Sequence, residues 1–413
     1  MTADAAAPRA APVPRRRPSL LIGAIILAAL NLRTAVTSVG PLLDELQRSI
    51  GLSHAQAGFL TTMPVLAFAG LGWITPRLAQ RVGLERLQAL ALGLMTFGLV
   101  MRANASSGAA FLAWTVPTLA AGAMGNVLLP AVVKRDFPGH VGSMTATYTT
   151  ALAIGTTAAA AATVPLASAG GGIDWRLGLG AWAAPAAFAA AVWSLIPRTK
   201  TPPGASVRPI PVEGLLSSRT AWALAIFFGA QAMQAYIAFG WFAQFYRERA
   251  GESAARAGLL VAILSALAIP VSLLVPRVAG RMSSQRPLIA GGVACYAAGY
   301  AGMLVAPRAG SYFWVVLVGL GGGMFPLSLT MVGLRSRAPE ATAALSAFSQ
   351  SIGYIIAGIG PLTVGLLRGS TGGWGTSFVL LFVDLAVMAA AGWVAGSPSF
   401  VDDDMGSAAP SAA

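Results

Sequence analysis

The sequence predicts an all-α integral membrane protein with twelve transmembrane helices in two pseudo-symmetric six-helix halves. Three observations predict this fold class: a shortage of charged residues, a series of long apolar runs, and a repeat between the two halves of the chain. Of the 413 residues, 56% are hydrophobic and 10% are charged, whereas soluble domains carry about 25% charged residues. A surface with so few charges suits a lipid bilayer as its surroundings.

A transmembrane helix needs about 20 predominantly apolar residues, and twelve runs of that kind follow one another along the chain. The predicted spans are 19–45, 55–78, 84–102, 109–134, 140–168, 175–196, 220–246, 254–278, 286–306, 311–334, 341–367 and 375–396. Three consecutive glycines at 321–323 predict broken or flexible backbone in the tenth span, and Gly360 and Pro361 predict the same in the eleventh.

Lysine and arginine residues are unevenly divided between the two sets of loops. If the N-terminus is cytoplasmic, the cytoplasmic side carries eighteen of the 27 Lys and Arg residues, the opposite side carries eight, and Arg33 lies within a span. Cytoplasmic loops are enriched in Lys and Arg, so we expect a multi-pass protein of the cytoplasmic membrane with both termini cytoplasmic. The first apolar run is too long for the core of a cleavable signal peptide.

Two regions of the chain match at a constant offset of 200 residues. PRLAQR at 76–81 corresponds to PRVAGR at 276–281. The other matched pairs are Ala55 and Ala255, Ala57 and Ala257, Gly58 and Gly258, Leu60 and Leu260, Met124 and Met324, Leu129 and Leu329, Val132 and Val332, and Arg135 and Arg335. A constant register across two regions indicates parallel repeats of six helices each.

The repeat and the composition together divide the chain into five segments. They are a disordered cytoplasmic N-terminal tail at 1–18, an N-terminal six-helix half at 19–196, a cytoplasmic linker at 197–219, a C-terminal six-helix half at 220–396 and a cytoplasmic C-terminal tail at 397–413.

Five stretches resemble the cyanate/nitroimidazole permease family of the major facilitator superfamily. They are NLRTAVTSVGPLL at 31–43, TTMPVLAFAGLGWITPRLAQRVGLERL at 61–87, GNVLLPAVVKRDFP at 125–138, YTTALAIG at 148–155 and FSQSIGYIIAGIGPL at 348–362. The resemblance covers essentially the whole chain apart from the tails and the linker. In the superfamily's loop motif between helices 2 and 3, Pro76 stands where a glycine is usual and Gln80 where an aspartate is usual.

The resemblance implies a secondary active or facilitative transporter that moves a small solute by alternating access, with helices 1, 4, 7 and 10 lining a central cavity. The preferred substrate is a small anion or weak acid on the family's cyanate side. The alternative is efflux of a small neutral or aromatic drug on its nitroimidazole side.

Arg33 is the most informative single residue, because it places a permanent cation near the middle of the first span. A charge at the bilayer centre costs about 3 kcal/mol on insertion scales, so Arg33 is expected to face the bundle interior or a water-filled cavity. Its planar fork can bind a small anion with two hydrogen bonds. The alternative is a structural role in which Arg33 donates to backbone carbonyls and holds the halves together.

Other polar residues within the spans extend this predicted substrate-binding lining. They are Asn31, Thr37, Asn126, Tyr148, Gln231, Gln234, Tyr236, Gln350 and Tyr354. Interhelical hydrogen bonds, close packing or interface anchoring would equally explain amides, threonines and aromatic residues at these places.

Asp384 is the only carboxylate placed deep within a span. It either relays protons and so couples transport to proton movement, or pairs with another polar group. A solute that moves as an anion together with its own proton would not need a carboxylate of the protein.

A set of mostly basic residues at the predicted cytoplasmic helix ends forms either a gate or an orientation signal that also contacts helix C-termini. The set comprises Arg77, Arg81, Lys134, Arg135, Asp136, Arg277, Arg281 and Arg335.

Several function classes lack their sequence signatures. The chain has no GxxxxGK[ST] phosphate-binding loop, which argues against an ATP-driven pump within it, and no HExxH, CxxC or GxSxG motif. His54 and His140 fall at loop positions, and Cys295 is the single cysteine. We therefore expect no enzyme, no metal site and no cofactor. The expected partners are a small-molecule substrate and the lipid bilayer, with no nucleic acid, and the protein is expected to be a monomer.

Overall fold

A computed structural model describes residues 18–137, 140–197, 212–337 and 339–407. Within these ranges the chain forms helices and no strands. Eleven helices are long and apolar enough to cross a membrane, and the pair His54–Leu71 and Ile74–Val82, bent by 59°, makes a twelfth if it forms one span. The predicted all-α membrane fold is thereby confirmed. The predicted N-terminal tail (all but its last residue) and most of the linker lie outside the described residues.

The N-terminal half contains six long helices, and the C-terminal half contains six more. The first six are helix 1, Pro18–Ile50; helix 2, His54–Val82; helix 3, Leu84–Ala103; helix 4, Gly108–Asp136; helix 5, Val141–Ala167; and helix 6, Trp175–Ser194. The others are helix 7, Arg219–Ala250; helix 8, Ala254–Ala279; helix 9, Arg286–Val305; helix 10, Ser311–Leu334; helix 11, Pro339–Thr371; and helix 12, Gly375–Ala395.

Four of the described long helices, helices 1, 6, 8 and 10, are divided into pieces, and helices 1 and 10 line the site described below. Helix 10 divides into Ser311–Gly321 and Met324–Leu334 at the predicted glycine run, whereas helix 11 continues through Pro361. Helix 1 divides into Pro18–Asn31, Thr34–Thr37, a 3-10 turn at Gly40–Leu42, and Leu43–Ile50. Broken backbone at membrane depth needs new partners. The hydroxyls of Thr34 and Thr37 supply them by donating to the carbonyl oxygens of Asn31 and Arg33.

The two halves pack against each other through glycines that the sequence repeat had paired. A Cβ atom on Gly58 of helix 2 would lie 3.0 Å from the carbonyl oxygen of Pro361 in helix 11. A Cβ atom on Gly258 of helix 8 would lie 2.7 Å from the carbonyl oxygen of Ala160 in helix 5. Small residues let membrane helices approach this closely. The offset of 200 residues in the sequence therefore corresponds to two equivalent contacts across the interface.

Polar contacts also join the halves at one end of the bundle, where helices 1 and 7 end; we call this the contact end. Both terminal nitrogens of Arg247 donate to the carboxylate of Glu45, over 2.8 Å and 2.9 Å, and Arg247 lies 3.1 Å from Asp44. Nearby, the side-chain amide of Gln244 donates to Gln47 over 3.2 Å. Bidentate arginine–carboxylate pairs are among the stronger ion pairs, so this cluster stabilises the closed arrangement of the contact end.

At the opposite end, the described part of the C-terminal tail folds back onto the C-terminal half. Its short helix Val401–Ser407 places Asp404 where the hydroxyl of Ser218 and the backbone N–H of Thr220 donate to it. Burial raises the pKa of Asp404, but these hydrogen bonds outweigh burial and hold the pKa below its ordinary value. The neighbouring Asp403 pairs with Arg337. The tail thus ties the start of helix 7 to the end of helix 10.

Replacing Arg247 by Gln should loosen the contact end. The variant loses the bidentate pair with Glu45, and each 1.4 kcal/mol lost changes an equilibrium tenfold. The probe is a single cysteine in place of Thr61, which is buried and packs against Gly240 in helix 7. We expect this cysteine to react with a maleimide about tenfold faster in the Arg247→Gln variant than in the protein that keeps Arg247. The measurement uses purified protein in detergent, with the native Cys295 changed to Ser.

Arg249→Gln is the matched control, because Arg249 is an exposed cation two residues further along the same helix. Equal labelling rates in the two variants would show that the pair with Glu45 does not hold the contact end.

Candidate functional site

A cavity of about 100 Å³ lies between the halves, where helix 1 meets helices 7 to 11. One buried water needs roughly 10–15 Å³ of such space, so the cavity has room for a small solute. Five of the residues predicted for the substrate site line it: Arg33, Gln231, Gln234, Tyr236 and Tyr354. Its other walls are mainly apolar.

Arg33 enters the cavity from the break in helix 1. Its side chain has no hydrogen-bond or ion-pair partner among the described residues, and its Nε atom is buried without a partner. The helix break explains its position, because Leu32 and Arg33 form a turn between two helical pieces and direct the side chain out of the regular helix. A guanidinium is permanently charged and offers five N–H donors. Those donors are therefore available to a bound solute.

Two more polar atoms on the cavity wall lack partners in the part of the chain that the structure describes. The side-chain nitrogen of Gln231 and the hydroxyl of Tyr236 are both buried and unpaired, and both belong to helix 7. Tyr236 and Tyr354 lie within electrostatic range of Arg33. Buried polar groups are normally hydrogen-bonded, so three unpaired groups on one small cavity indicate a ligand site. Because donors predominate, the site suits a solute rich in acceptors, such as an anion.

Gln234 lies one turn further along helix 7 and differs from Gln231 in having a complete set of partners. Its side-chain nitrogen donates to Asp384 over 2.8 Å and to the carbonyl oxygen of Leu381 over 3.0 Å. Its side-chain oxygen accepts from the hydroxyl of Tyr300 over 2.6 Å. Asp384 is thus joined to helix 7 behind the cavity wall. Its proposed role in proton coupling stays a prediction.

Five predicted residues do not line this cavity. Their contacts lie within their own half. The side-chain nitrogen of Asn31 donates to the carbonyl oxygens of Leu27 and Pro185, while its side-chain oxygen is buried without a partner among the described residues. Thr37 donates to the carbonyl oxygens of Arg33 and Thr156, Asn126 to that of Gly122 and Gln350 to the hydroxyl of Ser346, and Tyr148 packs against the apolar cluster around helix 1. Most of these partners belong to the same helix, because short polar side chains reach the carbonyl four residues back.

Two of the predicted gate residues occupy equivalent positions at the end opposite the contact end. Arg135 of helix 4 pairs with Glu85 of helix 3 over 2.6 Å and with the adjacent Asp136. Arg335, the residue that follows helix 10, donates to Gln285 and to the carbonyl oxygen of Ala395. Glu85 and Gln285 differ by the same 200 residues as the two arginines. One half therefore holds a charged pair where the other holds a neutral acceptor.

The remaining predicted gate residues have exposed side chains. They are Arg77, Arg81, Lys134, Arg277 and Arg281, of which Arg277 donates to the carbonyl oxygen of Leu273. A gating role for this set stays a prediction.

The two glutamines of helix 7 provide a matched pair for a stability test. Gln231→Leu removes a buried amide without a partner, so we expect the free energy of unfolding to stay unchanged or rise by about 1 kcal/mol. Gln234→Leu leaves Asp384 and Tyr300 without their hydrogen bonds, so we expect a loss of about 1–3 kcal/mol. Thermal unfolding of the purified variants in detergent measures both effects. Equal destabilisation would contradict the assignment of Gln231 as an unpaired wall residue.

The chain matches the Major Facilitator Superfamily over residues 21–361. It is 35% identical to the uncharacterized transporter YycB of Bacillus subtilis, over 92% of this chain and 94% of that protein. It is 32% identical to a 2-nitroimidazole transporter of Escherichia coli, over 91% of this chain and 95% of that protein. It is also 31% identical to the cyanate transport protein CynX of Escherichia coli, over 85% of this chain and 90% of that protein.

A solved structure shows the same fold at lower sequence identity. The bacterial homolog of the human lysosomal transporter Spinster, in an inward-facing and occupied conformation, has a TM-score of 0.78 and 19% identity, and the match covers 94% of this chain and 98% of that one. The relatives are transporters rather than enzymes, as the sequence predicted. The chain belongs to the Major Facilitator Superfamily of membrane transporters.

Proposed function

We propose that this transporter moves a small anion or weak acid, similar in kind to cyanate, across the cytoplasmic membrane by alternating access, and that Arg33 binds the anion. The proposal includes the predicted orientation, with both termini cytoplasmic, and a monomeric carrier. Gln231, Tyr236 and Tyr354 complete the proposed site.

The observation that carries this proposal is the unpaired state of Arg33. A cation within the membrane region faces a cavity and has no acidic partner among the described residues. Intramembrane charges are costly and usually serve a function. The structural alternative predicts hydrogen bonds from Arg33 to backbone carbonyls, and the described residues provide none for its side chain. A solute anion would supply the missing partner.

The similarity to a cyanate transport protein supports a small anion as the substrate class. Cyanate is small, linear and negatively charged, so a guanidinium and two neighbouring donors could hold it within the volume of this cavity. A heterocyclic weak acid would offer the same charge on a larger body.

The second candidate function is export of a small neutral or aromatic compound. One relative is named as a 2-nitroimidazole transporter, and aromatic side chains of the C-terminal half, including Tyr296, Phe325 and Tyr354, line the same cavity. Under this alternative, Arg33 would donate to a nitro or carbonyl oxygen. Transport of a neutral solute would then proceed without net movement of charge.

Arg33→Ala and Arg33→Lys separate the two candidates. We expect Arg33→Ala to reduce saturable uptake of labelled cyanate by at least tenfold, because a charge-assisted hydrogen bond contributes about 1.5–3 kcal/mol. Arg33→Lys keeps the charge but loses the planar fork, so it should retain intermediate uptake. Uptake is measured in proteoliposomes at pH 8 for cyanate, formate, benzoate and 1-methyl-2-nitroimidazole, which has no N–H to lose and therefore stays neutral.

Arg256→Gln is the matched control, because its side chain is exposed and lies at the contact end, away from the cavity. Since the described residues offer the Arg33 side chain no hydrogen-bond or ion-pair partner, Arg33→Ala should keep the melting temperature of the native protein. Unchanged anion uptake combined with a lower melting temperature in Arg33→Ala would establish the structural role and remove the anion proposal.

A further inference from the structure

We infer that this protein exchanges one anion for another and that the carrier without a bound anion changes conformation slowly. The inference rests on the proposed function and specifies the mode of transport at the same site. The basis for the inference is the division of the cavity lining between the two halves of the protein.

The cavity is divided unequally between the halves. Arg33 is the only lining residue from the N-terminal half among the described residues, and the other lining residues belong to helices 7 to 11. The guanidinium therefore points across the interface into a site built by the C-terminal half. Any movement of one half against the other moves this cation relative to the opposite wall.

The described cavity wall contains no carboxylate that could neutralise Arg33. No Asp or Glu is among the lining residues. Asp384 of helix 12 is not among the lining residues and accepts a hydrogen bond from Gln234. Asp44 and Glu45 pair with Arg247 at the contact end. The unpaired groups beside Arg33, on Gln231 and Tyr236, include an amide nitrogen that can only donate.

Because Arg33 has no carboxylate beside it among the described residues, closing the cavity costs more free energy in the empty carrier than in the loaded carrier. Between its two open states the carrier must close both ends around the cavity, which removes most of the water that solvates Arg33. An unpaired buried cation is strongly unfavourable, whereas a buried and hydrogen-bonded ion pair is tolerated. A bound monoanion therefore lets the halves close, and an empty site opposes closure.

A carrier that closes readily only with a bound anion favours exchange of one anion for another. A carrier that releases an anion on one side has to bind another anion there before it returns. One-for-one exchange of monoanions moves no net charge, so its rate is insensitive to membrane potential. Net uptake into vesicles without an internal anion requires the slow return of the empty carrier.

The test compares two sets of proteoliposomes that contain the wild-type protein. One set contains unlabelled cyanate, the other contains the impermeant anion gluconate, and both receive external labelled cyanate at pH 8. Valinomycin and equal potassium concentrations hold the potential at zero. We expect the initial uptake into cyanate-loaded vesicles to be at least tenfold faster. Similar rates in the two sets would overturn the inference.

Two variants connect the ratio of these rates to the charge on Arg33. Arg33→Gln removes the charge, so its residual uptake should have a ratio of exchange to net uptake near one. Gln231→Leu keeps the charge and should keep the high ratio, even though its uptake is slower. A ratio that stays at tenfold in Arg33→Gln would also overturn the inference.

The outcomes separate this inference from the proposed function. If the two vesicle sets take up cyanate at equal rates and uptake still requires Arg33, the protein is an anion carrier but not an exchanger. Absence of anion uptake in both sets removes the proposed substrate class and the inference with it.

Discussion

The structure is organised around a permanent cation, Arg33, whose side chain has no partner among the described residues. Arg33 lies in the broken part of helix 1, between pieces that end at Asn31 and begin again at Thr34. The hydroxyls of Thr34 and Thr37 satisfy carbonyl groups at the break, so the backbone there is stabilised without using the guanidinium. The charge is left for the cavity, and the cavity has to remain accessible to water or to a solute.

Pseudo-symmetry builds the interface between the halves, and departures from it create the site. Gly58 and Gly258 make equivalent close contacts with the opposite half, as their positions in the repeat require. Arg33, in contrast, corresponds to Met233, and Asn31 corresponds to Gln231. The side-chain nitrogen of Asn31 donates to carbonyl oxygens of its own half, whereas that of Gln231 has no partner among the described residues, and Gln231 lines the cavity. The two halves thus share a scaffold but contribute different chemistry to the substrate site.

Much of this arrangement could be predicted from the sequence. Twelve apolar runs and the matching stretches at 76–81 and 276–281 predicted the fold, because span length and repeat register are properties of the chain itself. The cost of a buried charge predicted that Arg33 would face a cavity. The pair between Glu45 and Arg247 escaped prediction because its members are 202 residues apart and no periodic pattern connects them. The directions in which the side chains of Asn31 and Thr37 point depend on the break in helix 1, and the amino-acid composition does not specify where that break falls.

The central claim, that Arg33 awaits an anion, can be measured directly as ligand-dependent thermal stability. Sodium cyanate is added to the purified protein in place of an equal concentration of sodium gluconate, so that the ionic strength stays constant. The melting temperature is recorded at each cyanate concentration for the native protein and for Arg33→Ala. A ligand that binds only the folded state raises stability with its concentration. The account predicts a saturable rise for the native protein and none for Arg33→Ala. An equal rise in both proteins would contradict it.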